Sequence, residues 1–214
     1  MKKFISTTLM IAVFTTLAFS QNSTKELKRT VKDMVSFYRC SVSTSWLTFA
    51  NTEAEETNVH MAEFHFGYRI TSKDKIEIKI AKWTLFEPMG IQLWDPLLRK
   101  ESEWYPGKLK EMGIGITYQR ILWKGLFATV EILPLKKTYL DENNVKIGNG
   151  FKLYTTYHIG YHVALFKDRL YLEPQIHCNY WPIDTKGPQG FAEKDSKWKN
   201  YFLFEPNLYI GVNF

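Results

Sequence analysis

The chain has 214 residues, a length that predicts one domain or at most two. Hydrophobic residues make up 45% of it and charged residues 23%, which excludes a disordered or collagen-like chain, and two cysteines exclude a disulfide-dense scaffold. The formal net charge of +6, two units of which come from Lys2 and Lys3, is too small to indicate a nucleic-acid partner. The aromatic content, 16%, is unusually high.

The first twenty residues have the pattern of a secretory signal peptide. Lys2 and Lys3 supply the positive start, and 4–19 is mostly apolar, with small residues at the end. We therefore predict a signal peptide over 1–20, cut before Gln21, and export of the chain. The alternative, an uncleaved membrane helix, is disfavoured because the apolar run is short for a span.

A short amphipathic leader is predicted over 21–36. Leu27, Val31, Met34 and Val35 fall on one helical face, and basic residues occupy the rest. Two interpretations stay open, a helix lying on anionic lipid and a segment covering the base of the fold.

From residue 37 to residue 214 the apolar residues recur with period two, which predicts strands. The clearest case is 151–166, where one face is almost wholly apolar and the other is polar or small. The segment 201–214 alternates in the same way, with Phe202, Leu208 and Ile210 on its apolar face. Eight such segments are predicted: 37–49, 59–71, 75–87, 111–123, 126–138, 151–166, 170–182 and 201–214.

The connections between these segments alternate in length. Short turns are predicted at 72–74, 124–125 and 167–169, and long loops at 50–58, 88–110, 139–150 and 183–200. All the short turns therefore fall at one end of the predicted structure and all the long loops at the other.

The size and polarity of the residues on the two strand faces predict which face lines the lumen. One face is large and aromatic, and the other carries small and polar residues such as Ser43, Gly67 and Gly115. An eight-stranded barrel has an interior only just wide enough for side chains, so the small and polar face is assigned to the lumen. A soluble barrel with its apolar face inside remains the alternative.

The signal peptide, the eight alternating strands and a last strand ending Tyr209-Ile210-Gly211-Val212-Asn213-Phe214 together resemble the small eight-stranded outer-membrane β-barrels of Gram-negative bacteria. The resemblance implies an all-β, antiparallel, up-and-down transmembrane barrel with short periplasmic turns and long outer loops. It also implies outer-membrane lipid around the barrel and the barrel-assembly machinery as a partner during biogenesis, and it leaves any extracellular partner unnamed. The cut before Gln21 resembles that of exported Bacteroidota proteins.

With the apolar face outward, a cluster of ionisable residues is predicted in the lumen. Seven further polar residues are assigned there as well: Arg39, Arg69, Glu77, Lys79, Gln119, Lys152 and Gln175. Buried charges must be paired, so a hydrogen-bonded plug is expected. A metal site of imidazole and carboxylate groups is the sharper alternative, but the spacing matches no ligand motif. The predicted cluster consists of Glu63, His65, Glu131, His158, His162, Glu173, His177 and Glu205.

The function predicted from this pattern is that of a structural or surface-interaction protein without catalysis, cofactor or metal. The first alternative is a lipid-modifying acyl hydrolase or transferase. The deacylase type of that class uses a His-x-Ser on one strand, and His158-Ile159-Gly160 lacks the serine. The second alternative is a small pore.

Three minor expectations concern prolines, cysteines and tryptophans. Pro174 and Pro206 lie inside predicted strands and should require bulges. Cys40 and Cys178 lie on strands too far apart for a disulfide bond. The seven tryptophans lie near strand ends or in loops, which predicts girdles at the two membrane interfaces: Trp46, Trp83, Trp94, Trp104, Trp123, Trp181 and Trp198.

Overall fold

The computed structural model describes residues 38–50 and 60–214. The predicted signal peptide (1–20), the predicted leader (21–36) and most of the first predicted loop (50–58) lie outside the described residues.

The described residues form one antiparallel sheet that closes on itself. Its strands are β1 (Cys40–Ser45), β2 (His60–Arg69), β3 (Asp74–Leu85), β4 (Lys108–Trp123), β5 (Leu126–Leu140), β6 (Lys146–Tyr161), β7 (Val163–Leu165), β8 (Leu170–Asp184) and β9 (Tyr201–Asn213). Chain neighbours pair from β1 to β6 and from β7 to β9; β1 also pairs with β9, and β6 with β8. Because β6 and β7 both pair with β8, they occupy one strand position of the barrel, with a gap between them, and the nine strands form an eight-stranded barrel. The predicted eight-stranded, antiparallel, up-and-down barrel is confirmed.

Alternation along each strand separates an apolar outside from a polar inside. On β3, Ile76, Ile78 and Ile80 are exposed on the outer surface, whereas Glu77 and Lys79 are buried in the lumen. A soluble barrel would show the opposite pattern, because it buries its apolar face.

The lumen is narrow enough to require small residues. A Cβ atom on Gly211 would lie 2.1 Å from the Tyr171 ring, and one on Gly67 would lie 2.3 Å from the Ser41 hydroxyl. A larger residue at either position would force the Tyr171 ring or the Ser41 side chain to move.

Pro174 on β8 lies opposite the gap between β6 and β7. The pairing of β6 with β8 ends at Gly160, and that of β7 begins at Val163. Proline has no backbone N–H to donate, so the ladder is interrupted there. The N–H of His162, inside the gap, donates instead to the Gly125 carbonyl at 2.8 Å.

A bulge lies next to Pro206 on β9. The register between β8 and β9 shifts between His177 and Asn179, and Phe204 has a positive φ of 55°. The irregularity expected from the prolines is thus present. It turns Phe202 towards the apolar core, so the prediction that Phe202 shares the outer face is wrong.

The two ends of the barrel differ as predicted. Short turns lie at one end, here called the turn end, and the loops at the other, here called the loop end. The loop end carries α1 (Leu47–Ala50), a 3₁₀ turn (Glu101–Glu103) and α2 (Gln189–Asp195). No helix of the described residues is long and apolar enough to cross a membrane.

The prediction of a long loop over 139–150 is wrong. β5 continues to Leu140 and β6 begins at Lys146, so only a tight turn separates them. The carboxylate of Asp141 closes this turn by accepting the N–H groups of Asn143 and Val145 at 2.9 and 2.8 Å.

Candidate functional site: the barrel lumen and its cap

The structure places the eight residues of the predicted cluster inside the barrel. Six are buried, and the side chains of His162 and Glu205 are 10% and 22% exposed. Arg39 is exposed on the outer surface, where its guanidinium donates to the Tyr68 hydroxyl at 3.4 Å, so its assignment to the lumen is wrong. The eight are Glu63, His65, Glu131, His158, His162, Glu173, His177 and Glu205.

A continuous series of charged contacts fills the lumen near the turn end. We call it the turn-end chain. Each member lies within 4 Å of the next, so positive and negative groups alternate along most of its length. Its members, in order, are Arg69, Asp168, His162, Glu173, Lys75, Glu77 and His65.

His162 is the centre of the turn-end chain. Its Nδ1 lies 2.8 Å from Glu173 Oε1 and its Nε2 lies 2.8 Å from Asp168 Oδ1. A carboxylate only accepts hydrogen bonds, so two ionised acids in these positions favour a ring that donates from both nitrogens, which is the imidazolium form. The interruption beside Pro174 is what places this side chain between the two acids.

Asp168 and Lys75 are members of the turn-end chain that the sequence did not predict. Asp168 lies in a turn where residues 166–168 all have positive φ, so no alternation indicates its direction. Lys75 lies on the same face of β3 as Glu77 and Lys79. The alternation along β3 could therefore have predicted that Lys75 points into the lumen.

A second group, the central cluster, is built around Lys79. Its Nζ lies 2.8 Å from Glu131 and 3.2 Å from Glu63. Glu63 also accepts the Trp83 indole N–H at 2.9 Å and the Tyr209 hydroxyl at 2.8 Å. Every oxygen of Glu63 is therefore used, which offsets part of the cost of burying its charge.

His158 and His177 stack face to face beside the central cluster, with ring centroids 3.9 Å apart. Nδ1 of His158 lies 3.1 Å from Gln175 Oε1, and Nδ1 of His177 lies 3.8 Å from Glu205. The Nε2 atoms of both rings have no partner among the described residues. Cavities lie on either side of the pair, each with room for about one water molecule.

Further towards the loop end, two buried lysines pair with acids. Lys152 lies 2.6 Å from Glu111, and Lys137 lies 2.5 Å from Asp184. Three of these residues were not predicted from the sequence. Glu111 and Lys137 lie at or next to the ends of predicted strands (111–123 and 126–138), and Asp184 lies beyond the end of one (170–182). Extending the inward phase of β5 past Glu131 would have found Lys137.

The loop end of the lumen is apolar, which the prediction of a wholly polar plug did not anticipate. Trp83 and Trp181 are 2% and 6% exposed and belong to this core, so their assignment to membrane girdles is wrong. Trp94 and Trp123 are 62% and 64% exposed on the outside, as a girdle requires. The core also contains Leu85, Leu109, Leu133, Leu135, Tyr105, Tyr139, Tyr154 and Phe191.

The helix α2 closes this apolar core as a cap. Phe191 is fully buried, stacks on Tyr105 at 4.8 Å and meets Tyr139 edge-on at 5.0 Å. The Tyr105 hydroxyl donates to Asp195 at 2.6 Å. Burial raises the pKa of the Asp195 carboxyl above its usual range, and it raises that of the Tyr105 hydroxyl as well.

The arrangement of these groups bears on the chemical alternatives. Within the described ranges, no three His, Cys, Asp or Glu side chains converge in a geometry that could hold a metal ion. His158 and His177 point into the lumen and away from the outer surface, where a lipid substrate would lie. Cys40 and Cys178 are free thiols.

Comparisons with known proteins give little beyond the fold. No family model and no curated protein matches the chain. Among solved structures, the crystal structure of Neisserial surface protein A (NspA) matches with a TM-score of 0.41 and 11% identity, over 82% of this chain and 93% of that one. The resemblance to exported Bacteroidota proteins finds no support in these comparisons.

Proposed function

We propose that the protein is an outer-membrane barrel with a sealed lumen, which acts as a structural or surface-interaction protein without catalysis. Its proposed surroundings are outer-membrane lipid, with short turns in the periplasm and loops outside. The barrel-assembly machinery is its proposed partner during insertion.

The observation that carries the proposal is the apolar outer surface of the barrel. Ile114 and Ile116 on β4 are 63% and 64% exposed, and their strand neighbours Ile78, Ile80 and Ile132 are exposed too. A contiguous apolar surface of this extent is rare on a soluble monomer. A lipid environment removes its cost, and a closed barrel leaves no strand edge unpaired in that environment.

The sealed lumen supports a role other than transport. The turn-end chain and the central cluster occupy one half of the interior, and the apolar core and α2 occupy the other. The two cavities are each about the size of one water molecule and are far too small for a solute pathway.

The test is fractionation of a Gram-negative host that expresses the full chain. We expect the protein in the outer-membrane fraction, resistant to carbonate extraction, and migrating faster on gels before heating than after. Recovery as a soluble periplasmic protein would contradict the proposal.

A matched pair of variants sharpens this test. Ile116 lies midway along the apolar surface, and an arginine at that depth costs about 2–4 kcal/mol. Ile116→Arg should therefore reduce insertion, whereas Asn143→Arg, in the exposed turn after Asp141, should insert like the unaltered protein.

A further inference from the structure

Three lysines point outward from adjacent strands near the loop end of the barrel. Lys82 lies on β3, Lys110 on β4 and Lys136 on β5, and all three are exposed. We call them the lysine patch. Charged side chains on the outer face of a membrane barrel are costly unless they lie at an interface.

The strand register brings the three side chains together. Met112 on β4 pairs with both Lys82 and Lys136, so these two lysines lie two strand spacings, about 10 Å, apart. Lys110 is two residues from Met112 on the same face, about 7 Å towards the loop end. Side chains of this length reach a shared anion from all three positions.

No acidic side chain of the described residues pairs with these lysines. By contrast, Arg120 near the turn end pairs with Asp74 at 2.6 Å. The outward neighbours of the patch in the two cross-strand rows are neutral side chains and one histidine: Ala62, Met112, Phe151, His60, Thr84, Thr138 and Asn149.

The patch lies at the edge of the apolar surface. Lys82 is eight residues along β3 from Asp74, and the exposed Ile76, Ile78 and Ile80 lie between them. This is about 27 Å along the strand, or about 20 Å along the barrel axis at the usual tilt. The apolar band of such barrels is of similar height, so the lysines lie at headgroup depth on the loop side.

We propose that the lysine patch binds the phosphate of a phosphorylated lipid headgroup in the leaflet on the loop side. The inference rests on the proposed function, because it requires the barrel to lie in a membrane. The three ammonium groups have no acidic partner among the described residues, and a phosphate group supplies the negative charge that would pair with them. The isoleucines beside the patch contact the acyl chains of the same lipid, which favours a lipid over free phosphate.

The experiment uses the full chain refolded into phosphatidylcholine vesicles that contain lipid A or dephosphorylated lipid A. We expect the barrel to retain lipid A in preference to the dephosphorylated form. The triple variant Lys82→Gln, Lys110→Gln, Lys136→Gln should bind lipid A roughly 10- to 100-fold more weakly. The control variant Lys73→Gln, Lys124→Gln, Lys167→Gln, with equal charge loss at the turn end, should bind like the unaltered protein.

Three results would overturn the inference: equal retention of the two lipids, unchanged binding by the triple variant, or displacement of lipid A by an equal concentration of inorganic phosphate. The last would assign the patch to a free anion. Failure of the unaltered protein to insert into pure phosphatidylcholine vesicles would instead refute the proposed function. Normal insertion with no lipid A preference would refute the lysine patch alone.

Discussion

At the scale of single residues, the interior of the barrel contains buried ion pairs in which each charge compensates for the burial of the other. Lys79 is the clearest case, because the carboxylates of Glu63 and Glu131 both lie within 3.2 Å of its ammonium group. Two buried carboxylates without this cation would repel each other and lose their compensation for burial.

Replacing Lys79 by methionine should therefore destabilise the barrel by about 3–5 kcal/mol, the usual cost of breaking a buried ion pair. The measurement is urea unfolding from lipid vesicles. The double variant Lys79→Met, Glu131→Gln should recover part of the loss, because it removes one orphaned charge.

Lys82→Met is the matched control, since Lys82 lies on the same strand but is exposed outside the barrel. In neutral lipid its effect should stay within about 0.5 kcal/mol. Equal losses for the two lysine variants would contradict the assignment of Lys79 to a paired position.

Gly211 gives a second test at this scale. Gly211→Ala should cost about 1–3 kcal/mol by overpacking, because the new methyl group meets the Tyr171 ring. Gly150→Ala is the control, since its nearest contact would be an ordinary 3.4 Å, and it should change stability by less than about 1 kcal/mol. Adding Tyr171→Leu should relieve the Gly211→Ala defect; no relief would mean that the clash is not its cause.

At the scale of elements, the strands follow from the sequence and the loop-end packing does not. Alternation fixes the face of each residue along β3 and along 207–213 of β9, and Pro174 and Pro206 mark the irregularities in advance. Alternation cannot place Tyr105 or Phe191, because neither lies in a strand and each is positioned by contacts distant in sequence.

The same reasoning explains the errors within strands. Trp83 and Trp181 are inward by their strand phase, yet their nearness to strand ends suggested a girdle. Phe202 precedes the bulge at Phe204, which reverses its face. The eight predicted lumen residues could be placed by phase alone, but which of them pair depends on cross-barrel distances that one sequence does not contain.

The cap formed by α2 should loosen as the pH rises. Burial raises the folded-state pKa of Asp195 above its ordinary value of 3.8. The stability that the protonated acid contributes is fully present below that ordinary value and is lost as the pH rises through the folded pKa.

Asp195→Asn should remove this dependence, because the amide oxygen still accepts from Tyr105 and carries no charge. At neutral pH, hydrogen exchange of the α2 amides should be slower in the variant than in the unaltered protein. The two should converge in acid; a difference that is the same at both pH values would contradict the assignment.

At the scale of the whole molecule, the barrel is inverted relative to a soluble protein. Its aromatic and aliphatic residues largely form the outer surface, and its acids and bases form much of the interior. This arrangement explains how the 16% aromatic content coexists with an unremarkable mean hydropathy of −0.27.

Sealing of the lumen predicts that the barrel does not conduct. In planar bilayers the unaltered protein should show no stable channel, because the aromatic core and the turn-end chain fill the two ends of the lumen. Reproducible single-channel steps would instead favour a small pore.

The central claim is that the isoleucine surface faces lipid and the ionisable surface faces inward. The most direct test places spin labels at Ile116→Cys and Thr117→Cys in a background without Cys40 and Cys178, since these adjacent residues are 64% and 1% exposed. In vesicles, the label at position 116 should collide with oxygen, which dissolves in lipid, and be shielded from a water-soluble nickel chelate. Its oxygen accessibility should exceed that of the label at position 117. Free access of the nickel chelate to position 116 would contradict a lipid-facing surface.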